Sequence, residues 1–213
     1  MRKYNCLLAA MMIILFVACG NIKNNGDSQM KQFTLITLDP GHFHASLVLK
    51  NMYEELNPEV YVFAPEGKEL DQHLERIEAY NHRKENPTEW KEKVYSGSDF
   101  FERMLECPPG NLVILSGNNA SKTDYILGSV EAGLNVLADK PMLITAEKFP
   151  VLEEAFRVAE ENNVLLYDIM TERYEITTML QKALAQNKSI FGEMETGRPE
   201  QAAVPKESAH HFF

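Results

Sequence analysis

The sequence predicts a doubly wound α/β domain built on a parallel sheet, and three observations carry that prediction. Short β-branched and apolar runs alternate with longer stretches of helical periodicity, the pattern of successive βαβ units. Most of those runs end in turns rich in glycine, proline or asparagine and restart in helix-forming residues. The first of them, residues 33–49 (FTLITLDPGHFHASLVL), joins a buried strand to a helix start through a turn holding one glycine.

Taken in order, Phe33-Thr34-Leu35-Ile36-Thr37-Leu38 reads as a buried strand that breaks at Asp39-Pro40-Gly41. A helix is expected over residues 43–56, stopped by Asn57-Pro58. Residues 60–64 form a second strand ending at Pro65-Glu66-Gly67. In the polar stretch that follows, Leu70, Leu74, Ile77 and Tyr80 recur at helical spacing, so its first half is an amphipathic helix. Pro87 and Trp90 mark a loop before a short strand at Val94-Tyr95, and Ser98 or Asp99 should cap a short helix that Pro108-Pro109-Gly110 ends. Residues 111–116 are a strand followed by Gly117-Asn118-Asn119. A helix over 121–132 then stops at Gly133, a natural left-handed C-terminal residue. Strand 135–138 ends at Asp139-Lys140-Pro141, and a helix over 146–162 and a strand over 164–167 complete the alternation. Beyond Met170 the pattern changes: residues 171–186 are helical, and 191–195 could open a strand.

The chain of 213 residues is long enough for one full α/β domain and the start of another. Its net charge of −10, with no basic stripe, argues against nucleic acid as a partner. Arg2 and Lys3 precede an apolar run ending in Phe16-Val17-Ala18-Cys19-Gly20, which looks like a bacterial lipoprotein signal. Cleavage there would lipidate Cys19 and, by removing Arg2 and Lys3, take the charge from −10 to −12. The alternatives are a plain secretory leader or a retained anchor. The expected organisation is a signal over 1–18, a polar tether over 19–32, the α/β domain over 33–170 and the opening of a second α/β domain over 171–213. An exported, membrane-anchored lipoprotein of the periplasm or cell surface follows from it. Cys107 alone would remain beside Cys19 in the mature chain, so no intramolecular disulfide is expected, and Cys107 reads as a small apolar residue at a helix end.

The chemistry concentrates at three strand ends. A strand, a glycine turn and a helix N-terminus present unpaired N–H groups and a positive dipole end to a phosphate. In a dinucleotide-binding turn three glycines serve the turn, the close approach and the packing. Here Gly41 takes the second place, Asp39 the first and His44 the third, with His42 and Phe43 between. Asp39 could bond a ribose or cap the helix, or all three polar residues could simply fix the loop. Asp39, His42 and His44 also make a D-x-x-H-x-H cluster with zinc- or iron-type ligands. Lys140, held extended by Pro141, could bind a ribose or substrate hydroxyl, or donate a proton. Ser116, Gly117 and Asn119 could edge a cofactor or serve as turn and cap residues. Thr171-Glu172-Arg173-Tyr174 is a fourth candidate, equally readable as ionic packing.

These pieces, above all EAGLNVLADKPM at residues 131–142, resemble the N-terminal Rossmann domain of the Gfo/Idh/MocA oxidoreductases over roughly residues 33–195. That family shows alanine-glycine, a strand and usually Glu-Lys-Pro at this place; here Asp139 stands for the glutamate. Asp39 and His44 replace glycines, Gly117-Asn118 stands where threonine-proline is common, and Lys122 sits where a histidine often occurs. The resemblance implies NAD or NADP, held tightly in an exported protein, on a site of Asp39, Gly41, His42, Phe43, Glu66, Ser116, Gly117, Asn119, Asp139, Lys140 and Pro141. Glu66 would be the ribose-binding acid and Lys140 the catalytic lysine. It also implies hydride transfer to or from a sugar or polyol derivative, and a second domain that completes the pocket and makes oligomer contacts. That domain is largely missing from this sequence, so the fragment alone is expected to be inactive. Two other readings stay open: a non-catalytic surface-anchored binding protein on a degenerate scaffold, and a metal-dependent enzyme using Asp39, His42 and His44.

Overall fold

The computed structural model describes residues 33–170, 173–193, 195, 197, 198, 200 and 201. The proposed leader, the tether with Cys19, the pair Thr171-Glu172 and residues 202–213 lie outside the described residues. Strands β1 (Leu35–Leu38), β2 (Glu59–Ala64), β3 (Lys91–Ser96), β4 (Leu112–Leu115), β5 (Asn135–Ala138) and β6 (Leu166–Asp168) form one sheet. All neighbours run parallel, in the order β3-β2-β1-β4-β5-β6. This is the doubly wound order, whose crevice opens where the winding reverses between β1 and β4. Parallel strands need crossovers. Helices α1 (His44–Val48), α2 (Lys68–His82), α3 (Phe100–Glu106), α4 (Asn119–Glu131) and α5 (Phe149–Glu161) lie in them, the last entered through a 3₁₀ turn at Ala146–Lys148.

Alternation along the strands divides the core between the two faces. Leu35, Val60 and Ile114 pack with Ala45 and Leu49 around α1 and with Ile77 of α2. Their neighbours Ile36, Leu38, Val113, Leu115, Val136 and Ala138 face Met104 of α3, Ile126 and Val130 of α4 and Ala155 of α5. Every residue of β1 is buried, as a central strand covered on both faces requires. The register aligns the strand ends: Leu38 pairs with Phe63 and Leu115, and Leu115 with Ala138. The next residues, Asp39, Ser116 and Asp139, therefore leave the sheet together along its carboxyl edge.

Four expectations need correction. The helix expected over 43–56 is five residues long. The carbonyls of Leu49 and Lys50 accept hydrogen bonds from Trp90 Nε1–H and Arg83 Nη2–H, each at 2.6 Å, so the chain turns away after one and a half turns. Leu56 then makes a bridge to Phe33. Neither Ser98 nor Asp99 caps α3 through its side chain; the Asp99 carboxylate accepts from the Tyr95 hydroxyl instead, at 2.8 Å. Strand β3 extends well beyond Val94-Tyr95. Its Lys91 and Lys93 are the charged, solvated side of an edge strand, which hydrophobic patterning under-reads. Phe191, expected in a strand, ends the short helix α7 (Lys188–Phe191), whose first turn is capped by Asn187.

Helix α6 (Ile176–Ala185) buries none of its residues. Its Leu180 and Leu184, with Phe191 of α7, line an apolar groove of about 590 Å³. Arg173 pairs with Asp168 at 2.6 Å and donates to the Tyr167 hydroxyl, so the described half of the fourth candidate is engaged in ionic packing. Cys107 stands at the C-cap of α3, as expected of a helix-end residue, although it is exposed.

Beneath α2, His73 and Glu92 of β3 approach to 3.7 Å, with neither facing nitrogen nor oxygen hydrogen-bonded. Burial lowers His73 to about 4, with Arg76 acting in the same sense. Burial likewise raises Glu92 to about 7, helped by Glu78. A carboxyl whose folded pKa is raised contributes stability below its unfolded pKa and loses it as pH rises through the folded value. Glu92→Gln should therefore be more stable than the parent above pH 7, by about 1–3 kcal/mol, with the difference shrinking toward pH 4.5 in denaturant titrations. A Glu92→Gln protein less stable than the parent at pH 8 would show that the glutamate is held as an ion pair with His73.

Candidate functional site

A cleft of about 820 Å³ runs along the carboxyl edge of the sheet across the β1–β4 reversal. The β1 turn contributes Asp39, Gly41 and His42, and the end of β2 contributes Glu66 and Glu69. The β4 turn contributes Gly117, Asn118 and Asn119, and the end of β5 Asp139, Lys140 and Pro141. Four segments well separated in the chain thus share one cleft, because the register brings their strand ends level.

The contact between the first and third of these is made by backbone. A Cβ on Gly117 would stand 1.8 Å from the Asp39 carbonyl oxygen and 2.6 Å from its carboxyl carbon. One on Gly41 would reach 3.3 Å from Gly117 Cα. Asp39 takes a left-handed backbone, φ 49°, which a short polar residue tolerates and which lets the Gly41 amide close on its carbonyl at 2.9 Å. Its carboxylate accepts the Asn118 amide at 3.1 Å, and Asn118 in turn caps α4 by accepting the Ala120 amide at 2.9 Å. Asp39 therefore does a glycine's work in the turn and adds a tie to the next loop. Burial pushes its carboxyl up, the Asn118 amide pulls it down, and Glu69 adds to the rise.

Asp139 is the most connected group of the site. Its Oδ1 accepts from the Lys140 amide at 2.8 Å and faces His44 Nδ1 at 3.0 Å. Its Oδ2 lies 3.2 Å from both Ser116 Oγ and His42 Nδ1. Burial alone would raise this carboxyl, but the His44 hydrogen bond and the Lys140 amide outweigh it and hold the pKa below the ordinary aspartate range. His42 is lowered by burial first and by His44 second. Lys122, 2% exposed, spans from α4 to β5: Nζ donates to Asn119 Oδ1 at 2.7 Å and to the Asp139 carbonyl at 3.1 Å. Burial pushes its ammonium down, against the pull of Asp139.

The structure brings nine of the expected residues to the cleft: Asp39, Gly41, His42, Glu66, Gly117, Asn119, Asp139, Lys140 and Pro141. Ser116 and Phe43 do not line it. Ser116 is buried behind it, with Oγ 3.2 Å from the His42 carbonyl, and Phe43 packs its ring against His42 and His44. The D-x-x-H-x-H grouping is also corrected: the carboxylate that meets His42 and His44 is Asp139, not Asp39, which turns toward Asn118. Lys122 enters the cleft wall although sequence reasoning treated it as a substitution alone. Its spacing of three from Asn119 on α4 was the available signal, since such residues share a helix face.

No protein-family model matches the chain, and no curated protein does. Solved structures do. A candidate oxidoreductase from Parabacteroides merdae is 52% identical and superposes with a TM-score of 0.77, covering 82% of this chain and 40% of its own. This chain carries a Rossmann domain similar to part of that oxidoreductase. More distant structures share the fold. An NAD-binding protein from Listeria innocua is 21% identical with TM-score 0.55, covering 77% of this chain and 42% of its own. The WlbA dehydrogenase from Bordetella pertussis, solved with NADH and UDP-GlcNAcA, is 15% identical with TM-score 0.53, covering 75% and 41%. The Rossmann domain thus spans about two fifths of the length of the structures it matches.

The Gly117 contact gives a direct test. Gly117→Ala should lose more than about 2 kcal/mol or fail to fold, since its new methyl meets backbone. Gly133→Ala, at φ 75° with open space around it, should lose about 1 kcal/mol. Equal losses in urea titrations would mean that the β1–β4 turn contact relaxes.

Proposed function

We propose that this Rossmann domain holds NAD(H) in the cleft and belongs to an oxidoreductase acting on a sugar or polyol derivative. The observation that carries the reading is the shared cleft itself: the glycine-to-glycine approach of the β1 and β4 turns forms one wall at the switch point, with Lys140 on the opposite lip. The residues present fit a dinucleotide there. Gly41 and His42 would lie along the pyrophosphate, Glu66 would take the ribose hydroxyls, and Asn119 and Lys122 would edge the nicotinamide half. When bound, nicotinamide supplies the acceptor or donor of hydride. Lys140, exposed on the cleft with its own amide fixed to Asp139, would donate a hydrogen bond to the reacting hydroxyl and polarise it. Asp139 orients that lysine through the amide, so it is a positioning residue.

The substrate class is supported by the fold-sharing Bordetella pertussis dehydrogenase, whose structure contains a nucleotide sugar. Residues 171–213 are read as the opening of a second domain; the uncovered apolar faces of α6 and α7 support this, since a groove of that kind is normally packed against something. Export through a lipidated Cys19 belongs to the same proposal and rests on the leader sequence.

Glu66 and Glu69 make the β2 end of the cleft acidic, and its lining lysines, Lys122 and Lys140, stand on the β4–β5 side. A 2′-phosphate would therefore meet like charge, and NADH should bind at least about tenfold more tightly than NADPH in a fluorescence titration. Asp39→Asn keeps the acceptor for the Asn118 amide while removing a carboxylate beside the phosphate turn, so it should tighten NADH binding severalfold. Absence of any NADH binding, by fluorescence and by thermal shift, would remove the cofactor reading.

A further inference from the structure

We propose that His42, His44 and Asp139 form a binding site for a single divalent transition-metal ion of the zinc class at the lip of the cleft. One ring nitrogen of His42, one of His44 and an Asp139 carboxylate oxygen all lie within 4.8 Å of one another. The two imidazole nitrogens approach the carboxylate to 3.2 and 3.0 Å. Ligand atoms about 2.0–2.2 Å from one ion are separated by about 2.8–3.6 Å in octahedral or tetrahedral geometry, so the His42–Oδ2 and His44–Oδ1 approaches each fall within the range of a coordination-shell edge. The rings stand edge to face, centroids 4.2 Å apart and planes at 87°, so their ring edges can converge without stacking.

Two further observations point to an ion in place of a hydrogen-bond cluster. His42 Nδ1 is a buried atom without a hydrogen-bond partner: its 3.2 Å approach to Asp139 Oδ2 lacks hydrogen-bond alignment. A nitrogen buried against a carboxylate in that way costs free energy unless something bridges the two. The charge of the cleft acts in the same direction. Four carboxylates, Asp39, Glu66, Glu69 and Asp139, face two ammonium groups, Lys122 and Lys140, so the lining carries a formal −2 that a dication neutralises.

Donor chemistry selects the metal. Two imidazoles and one carboxylate suit zinc and its borderline neighbours and are poor ligands for magnesium or calcium. Binding releases whatever proton His44 shares with Asp139 and makes both histidines Nδ1 ligands. The carboxylate is held for this by Ser116 Oγ and the Lys140 amide, an outer shell that fixes its orientation. His42 and Asp139 line the cleft, so coordination positions not filled by protein open toward it. This inference uses no nucleotide and stands apart from the cofactor reading.

The test is a calorimetric titration of chelator-treated full-length protein with ZnCl2 and, in parallel, MgCl2, without nucleotide. One equivalent of Zn2+ should bind, with a rise in thermal midpoint, and Mg2+ at the same concentration should not. His44→Ala should weaken zinc at least tenfold, as should His42→Ala, whose partly exposed side chain can be removed with little effect on folding. Replacing His210 and His211 together by alanine controls for the other histidine pair and should keep the equivalent. No zinc binding, zinc lost with His210 and His211, or zinc retained in the His42→Ala/His44→Ala double variant with an unchanged unfolding midpoint would each overturn the site.

Discussion

The buried carboxylate of Asp139 is the interaction on which the site depends. It follows β5 directly, and through it two other segments are held, the β1 turn through His44 and the β4 end through Ser116, while it also fixes its own Lys140 through the amide. Its backbone carbonyl adds α4 through Lys122. An ionised group 2% exposed is tolerable in a protein when donors surround it, and here at least three do. A shorter side chain than glutamate suits the position. The carboxylate stays against the strand ends and leaves Lys140 to face the cleft.

The second constraint is steric and lies between two turns. Gly117 has no Cβ because the Asp39 carbonyl occupies its place, and the two loops then share one hydrogen bond from Asn118 to the Asp39 carboxylate. The β1 turn therefore carries an aspartate in a left-handed conformation without losing the turn. What changes is the charge: burial raises the Asp39 carboxyl, and the lining as a whole leans negative. A cleft of this kind takes an anionic dinucleotide at an electrostatic cost that a neighbouring cation would offset. The fold-level resemblance and the local chemistry thus differ, and they differ at Asp39, His42, His44 and Asp139.

Much of this was legible in the sequence for identifiable reasons. Buried central strands such as β1, β4 and β5 are short apolar runs ended by turn residues, and those runs marked the edge on which the site is built. Gly133 and the α4 boundary followed from local rules. Failures came where a distant residue decided a local conformation. Trp90 and Arg83 end α1 by taking carbonyls forty-one and thirty-three positions away, and no periodicity in residues 43–56 encodes that. The partner of His44 lies 95 residues on, so nearness in sequence favoured Asp39 instead. Lys122 was visible as a residue and invisible as a buried one, because burial of a lysine depends on acceptors supplied by Asn119 and Asp139.

The central claim is that three separated strand ends act as one nucleotide cleft. Hydrogen–deuterium exchange of the full-length protein with and without saturating NADH tests it most directly, because it locates the ligand independently of affinity. Slower exchange should appear together in peptides covering residues 39–43, 116–119 and 139–142, with α6 and α7 unchanged. Protection confined to the α6–α7 groove, or to one strand end without the other two, would contradict the account.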